Sequence, residues 1–149
     1  HLAPDPEQTA DLIKSGAICI AYETVTSPTG GLPLLAPMSE VAGRLAPQIG
    51  AHHLESHHGG RGVLLGGAPG VRPAKVVVLG AGNVGWNAAW IAAGMEADLV
   101  VLDMRSTPLI DARMNGARDF AEQLFVQMIL GDDRAVQATY VAGRLVHRR

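Results

Sequence analysis

The stretch that decides the fold runs from Lys75 to Asp103, KVVVLGAGNVGWNAAWIAAGMEADLVVLD. It opens with an apolar run, Val76-Val77-Val78-Leu79, and turns at Gly80-Ala81-Gly82-Asn83-Val84-Gly85, a G-x-G-x-x-G. A segment of small, helix-favouring residues follows to Gly94. A second apolar run, Leu99-Val100-Val101-Leu102, ends in Asp103. The β-branched runs have the length of strands buried on both faces, as a parallel sheet requires. The expectation is therefore strand, glycine turn, helix, strand.

Each glycine has a separate task. Gly80 permits the tight turn out of the strand. Gly82, lacking a side chain, lets a pyrophosphate approach the backbone, and Gly85 lets the helix lie close to the sheet. A helix that starts inside the loop presents its free N–H groups and the positive end of its dipole to phosphate. Asp103, eighteen positions after Gly85, suits an acid that accepts hydrogen bonds from ribose hydroxyls at the end of the second strand. A lone G-x-G-x-x-G recurs in glycine-rich turns of many α/β proteins. Here strand, helix, second strand and terminal acid accompany it in register, which points to dinucleotide binding. An Asp at that position, rather than a small residue followed by Arg, favours NAD over NADP.

The 149 residues amount to one domain's worth of chain, and 48% hydrophobic residues suffice for a core. A net charge of −2 gives no reason to expect a nucleic-acid or anionic-membrane partner. The single Cys19 cannot form an internal disulfide and reads as a buried thiol in an apolar run, consistent with a reducing compartment. There is no run of about 18 apolar residues and no signal peptide, so a cytoplasmic location is the expectation. The chain starts with His1 rather than Met, which reads as a segment of a longer protein.

Taken in order, Asp5 caps a short helix with Pro6 at its first position and Gly16 past its end. Ala17 to Tyr22 reads as a strand and Ser27–Gly31 as a turn. Met38 to Ala46 is helix-like, with Val41, Leu45 and Ile49 at four-residue spacing, and Pro47 should kink or end it. His57 to Gly70 is a glycine-rich loop. His52, His53, His57 and His58 cluster there, but no acidic or cysteine ligand set accompanies them at a recognised metal-site spacing, so they read as a solvated helix end and no metal is expected. Trp86 and Trp90, four apart, read as packing residues, and Arg44 and Arg61 face either phosphate or solvent. Pro108 to Leu130 reads as one amphipathic helix, and Val136–Val141 with Arg144–His147 as a hairpin turning at Ala142-Gly143. The fold class is α/β: a partial Rossmann-type dinucleotide-binding domain with a C-terminal helix and β-hairpin.

The segments HLAPDPE, IAYETV, LPLLAPMSEVAGRLAPQIGAHHL, GGRGVLLGGAPGV and VVVLGAGNVGWNAAWIAAGM, in that order over residues 1–95, resemble bacterial alanine dehydrogenases, with the nicotinamide nucleotide transhydrogenase subunit as the related family. The resemblance implies oxidative deamination of L-alanine to pyruvate and ammonia with NAD, and a hexamer. It implies that His1 is the active-site histidine and that Ser39 touches the cofactor. It implies further that the loop Gly80, Ala81, Gly82, Asn83, Val84 and Gly85 holds NAD and that Asp103 binds its ribose.

The family's substrate-binding Arg and Lys lie upstream of its HLA motif and its catalytic Asp far downstream. The expectation is thus a truncated or fused copy, weak or inactive alone, or else a non-catalytic NAD(H)-binding module of transhydrogenase type. Residues 96–149 resemble the C-terminal end of guanine deaminases, whose zinc ligands lie upstream of that end. The expected division is 1–33, remnant of a substrate domain; 34–104, the NAD-binding unit; and 105–149, a tail of different origin.

Overall fold

The computed structural model describes residues 5–149. The chain forms two compact units, His1–Ser39 and Glu40–Arg149.

In the first unit, helix α1 spans Pro6–Ser15. The Asp5 carboxylate accepts from the amides of Glu7 and Gln8 at 3.0 and 3.1 Å, satisfying N–H groups that a first helical turn leaves free. Gly16 ends the helix in the left-handed region at φ 66°, as the sequence predicts. The expected strand at Ala17–Tyr22 does not form: this stretch has no ladder partner, and a 3₁₀ turn covers Tyr22–Thr24. Its apolar residues stay exposed, Ile18 at 94%, and Cys19 is exposed rather than buried. An apolar run without a sheet to join does not become a strand.

Helix α2, Ala36–Leu54, runs through Pro47. A proline there forfeits one amide bond, to the carbonyl four residues back, and the flanking turns continue without it. In the second unit α2 meets helix α3, Asn83–Gly94, at Gly43. A Cβ on Gly43 would lie 2.3 Å from the Val84 carbonyl oxygen and 2.7 Å from the Asn87 Cβ, so the two helices touch backbone to backbone.

Strands β1 (Lys75–Leu79), β2 (Asp98–Leu102), β3 (Val136–Val141) and β4 (Arg144–Arg148) form one sheet in that order. β1 and β2 are parallel, with Val77 opposite Val100. β3 lies antiparallel to β2, and β4 antiparallel to β3. The expected β-α-β unit and hairpin therefore join in a single sheet. α3 covers it with Ala89, Ala92 and Ala93, whose small side chains let the helix sit close over Leu99, Val101 and Ala138. Leu99 and Val101 are 2% and 0% exposed, and burying side chains of this size contributes about 1.5–3 kcal/mol each. β2 comes nearer the expected burial on both faces: Leu99 and Val101 are buried, while Val100 and Leu102 on the other face are half-buried. β1 is an edge strand and Val77 is 57% exposed, because no strand flanks it on its outer side and α3 covers only one face.

The hairpin is fastened to this core. Ala142 and Gly143 both take positive φ, 46° and 74°, as a two-residue turn matched to the strand twist demands. The Ala142 amide donates to the Asp98 carboxylate at 3.0 Å. Gly143 fits so tightly against α3 that a Cβ would lie 2.4 Å from the Ala93 carbonyl oxygen.

Between β2 and β3 the expected single helix is two: α4, Pro108–Asn115, and α5, Phe120–Leu130. Gly116 closes α4, and Asp119 caps α5 by accepting from the Glu122 amide at 2.8 Å. Among the described residues no helix is long and apolar enough to cross a membrane.

Candidate functional site

The site grows from the carboxyl ends of β1 and β2. Gly80 leaves β1 with φ 109°, a conformation that L side chains rarely adopt. Its amide donates to the Leu102 carbonyl at 2.7 Å, so the two strand ends are tied side by side where the loop begins. Gly85 sits in the first turn of α3, and a Cβ there would lie 1.9 Å from the Gly80 carbonyl oxygen and 3.3 Å from Val78 Cγ1. Only glycine lets α3 rise this close to the strand.

Gly82 is different. It is exposed, and a Cβ built on it meets nothing within 4 Å, so the space over it is open to an approaching group. Gly82 is the N-cap of α3, and no side chain caps that terminus. Asn83 and Val84, in the first turn, are exposed. The first-turn N–H groups of a helix have no acceptor within it, and with the helix dipole they favour an anion here. Ala81 is half-buried against the core cluster. Uncapped amides, open space over Gly82 and close packing under Gly85 together fit a pyrophosphate.

Asp103 follows β2 and is half-buried. Its amide donates to the Ala135 carbonyl at 2.7 Å, which fixes its backbone against the start of β3. One carboxylate oxygen accepts from the Arg105 amide at 2.8 Å, and the other lies 3.4 Å from Gln137 Nε2. Two carboxylate oxygens offer about four acceptor sites, so capacity remains for a diol. Arg105, two residues on, bonds instead to α4: its guanidinium donates to Asp111 and, at 2.7 Å, to Asn115 Oδ1.

Gly80, Gly82, Gly85 and Asp103 thus share one edge of the sheet. Ser39 lies in the first turns of α2, half-buried, its amide donating to the Leu35 carbonyl at 3.1 Å. It belongs to the other compact unit. His1 lies outside the described residues. Trp86 packs against the core with the Arg148 guanidinium 5.2 Å from its ring centroid, a cation–π contact, whereas Trp90 is 57% exposed. Arg44 and Arg61 are exposed. Gln137 and Gly43 escape a reading of the sequence. Gln137 reaches Asp103 only through the β2–β3 pairing, and Gly43 matters only because α3 crosses it. An apolar groove between α4 and α5, lined among others by Ala112, Phe125 and Ile129, contains none of the expected site residues.

Residues 46–145 match the family model of the alanine dehydrogenase/PNT C-terminal domain. The match continues past residue 96 and takes in α4, α5 and the first part of the hairpin. An alanine dehydrogenase of Mycobacterium tuberculosis is 59% identical over 118 residues, 78% of this chain and 32% of that protein. One from Halomonas elongata is 59% identical over 111 residues, 74% of this chain and 30% of that one. A solved L-alanine dehydrogenase superposes with a TM-score of 0.63 at 44% identity, covering 89% of this chain and 33% of the other. An E. coli guanine deaminase gives 35% identity over 43% of this chain and 19% of its own, with a TM-score of 0.35, too low to establish a shared fold. The chain spans about a third of the length of the alanine dehydrogenases that it matches.

Proposed function

We propose, from the premise that this chain belongs to the alanine dehydrogenase/PNT family, that it carries the NAD-binding unit of an enzyme of alanine dehydrogenase type. The reaction is L-alanine, NAD and water to pyruvate, ammonia and NADH. The observation that carries the reading is the single sheet edge formed by the Gly80–Gly85 loop, the uncapped start of α3 and Asp103.

When bound, NAD accepts a hydride. The chain's own residues do the holding. The first-turn amides of α3 receive the pyrophosphate, Gly82 leaves it room, and the Asp103 carboxylate accepts from the ribose hydroxyls. Gln137 and the Arg105 amide keep that carboxylate in place. By resemblance, His1 acts as acid/base at the substrate and Ser39 touches the cofactor. The same reading includes a hexameric assembly and a cytoplasmic location. The similarity to alanine dehydrogenases at 59% identity favours this reaction over a transhydrogenase-type binding module.

NADH titration followed by fluorescence tests the site. A Cβ at Gly82 meets nothing within 4 Å, so Gly82→Val should leave the fold intact and weaken NADH binding by about a hundredfold, the loss of close phosphate contacts being worth about 3 kcal/mol. Equal affinity in the two proteins, with matching circular dichroism spectra, would remove the loop from the site.

A further inference from the structure

The C-terminal end of α2 gathers three imidazoles around one carboxylate. Glu55 follows the helix directly, and its amide donates to the His52 carbonyl at 3.2 Å. The chain then tightens into a 3₁₀ turn, Ser56–His58, whose last amide returns to the Glu55 carbonyl at 3.1 Å. Gly59 leaves the turn at φ 81°. The amides of Gly60 and Gly62 donate to the carbonyls of Glu55 and Leu54 at 3.0 and 2.8 Å. A Cβ on Gly60 would lie 2.2 Å from the His53 carbonyl oxygen, so the return of the chain depends on glycine. The backbone beneath the side chains is thereby fixed at several points.

The side chains converge above it. His52 Nδ1 is 3.8 Å from one Glu55 oxygen, and His58 Nδ1 is 3.5 Å from the other. These separations are too long for hydrogen bonds. The rings of His52 and His58 lie with centroids 3.8 Å apart. One nitrogen from each of these histidines and one Glu55 oxygen all fall within 4.8 Å of one another. His57 Nε2 approaches the His58-side oxygen of Glu55 at 3.3 Å, from outside that triad.

We infer that His52, Glu55 and His58 bind a divalent transition-metal ion of the zinc type. Two imidazoles and a carboxylate form a donor set that suits zinc, with water in the fourth position. Calcium and magnesium prefer all-oxygen surroundings and are poorly served here. With bonds of about 2.1 Å, tetrahedral ligand atoms lie about 3.3 Å apart, so the three donors need close by only small side-chain rotations. The negative end of the α2 dipole adds potential that favours a cation. The ion would clip the last turn of α2 to the glycine-rich return. The sequence offers no recognised ligand spacing, because Glu55 enters the set only when the 3₁₀ turn brings His58 back over it. The inference is independent of the nucleotide reading.

The test uses the full chain without a histidine tag, stripped of metal by chelator. Cobalt(II) is titrated while its visible d–d absorption is followed, zinc is then used to displace it, and the thermal midpoint is recorded with and without zinc. One equivalent should bind saturably, displace with zinc, and raise the midpoint. His52→Ala, His58→Ala and Glu55→Gln should each weaken binding by about tenfold or more. His53→Ala is the control: the His53 ring lies 5.6 Å from that of His52 and outside the triad, so affinity should stay within about twofold. Circular dichroism verifies the fold of each variant. Absence of one-site binding in the unsubstituted chain would overturn the assignment. So would an equal loss in His53→Ala, or affinity unchanged by Glu55→Gln.

Discussion

The Gly80 amide donates to the Leu102 carbonyl at 2.7 Å, and this bond, at the end of the β1–β2 ladder, sets the glycine loop beside the end of β2. Without it the loop and Asp103 would be two features twenty-odd residues apart in sequence. With it they form two walls of one crevice at the carboxyl edge of a parallel strand pair, where open α/β sheets bind ligands. The bond continues the β1–β2 ladder, in which Leu79 faces Leu102, and the positive φ of Gly80, 109°, then turns the chain out of the strand.

The contact beneath this crevice makes Gly85 the most constrained position of the motif. Gly85→Ala places a methyl 1.9 Å from the Gly80 carbonyl oxygen, a backbone atom that cannot swing aside. α3 must lift from β1, at a cost of about 3 kcal/mol or more. Gly94→Ala, at the other end of the same helix, meets nothing within 4 Å and should be neutral or slightly stabilising. Urea denaturation of both variants measures the contrast, and equal midpoints would contradict the close packing.

The hairpin should prove equally integral. Gly143→Ala meets both a positive φ and the Ala93 carbonyl oxygen at 2.4 Å, for a loss of about 2–3 kcal/mol. The ring of Trp86, beneath the Arg148 guanidinium of β4, reports the same event through its fluorescence. If the hairpin were an appendage, Gly143→Ala would leave the global unfolding midpoint and the Trp86 signal unchanged.

The β-α-β unit was legible because its signals are local: β-branched runs, glycines at fixed offsets and an acid at the right distance. The hairpin and the caps of α1 were legible for the same reason. The break between α4 and α5 was not, since Ala117, Ala121 and Leu124 continue the apolar period across it. The punctuation was there, in Gly116 and in Asp119 three residues before Glu122, an N-terminal cap signature that the periodicity masked. Exposed Ile18 and Val77 mark the opposite failure. Their runs have strand composition, but burial depends on neighbours that a local reading does not supply. Gln137 and Glu55 join their clusters only through pairing and turn geometry.

The start of α5 carries a pH signature. Arg118 donates to the Glu122 carboxylate from its side chain, at 2.9 Å from Nε, and from its backbone amide at 2.8 Å. These bonds hold the Glu122 carboxyl below the ordinary glutamate value. A group whose pKa is depressed by folding contributes stability that is present above its unfolded pKa and lost as pH falls through the folded one. Glu122→Gln should therefore lower the urea midpoint at about pH 7 and converge on the unsubstituted chain as pH falls below the ordinary glutamate range. The effect is small because the Arg118 side chain is exposed to solvent. A difference between the two proteins that is constant across this range would dissociate Glu122 from it.

If the proposed nucleotide site holds, coenzyme choice rests on the same edge as the Gly80–Leu102 bond. The Asp103 carboxylate can accept from two ribose hydroxyls but repels a 2′-phosphate. Two residues on, Arg105 has the charge to receive that phosphate, yet its guanidinium is engaged by Asp111 and Asn115 on α4. On the proposed reading, preference for NAD has a repulsive part and a withheld attractive part, and the two can be separated. Asp103→Ser removes the repulsion and should narrow the NADH/NADPH affinity ratio by about tenfold, or about 1.4 kcal/mol. Asp111→Ala alone removes the charged partner of Arg105, leaving the bond to Asn115 and the Asp103 carboxylate, so it should change the ratio by less. The double variant should shift the ratio by more than the sum of the two in free energy, because the freed guanidinium gains a phosphate only when the carboxylate is gone. Fluorescence titrations of NADH and NADPH against the four proteins complete the cycle. A strictly additive result would show that Arg105 does not reach the 2′ position. An unchanged ratio in Asp103→Ser would take the aspartate out of the site altogether.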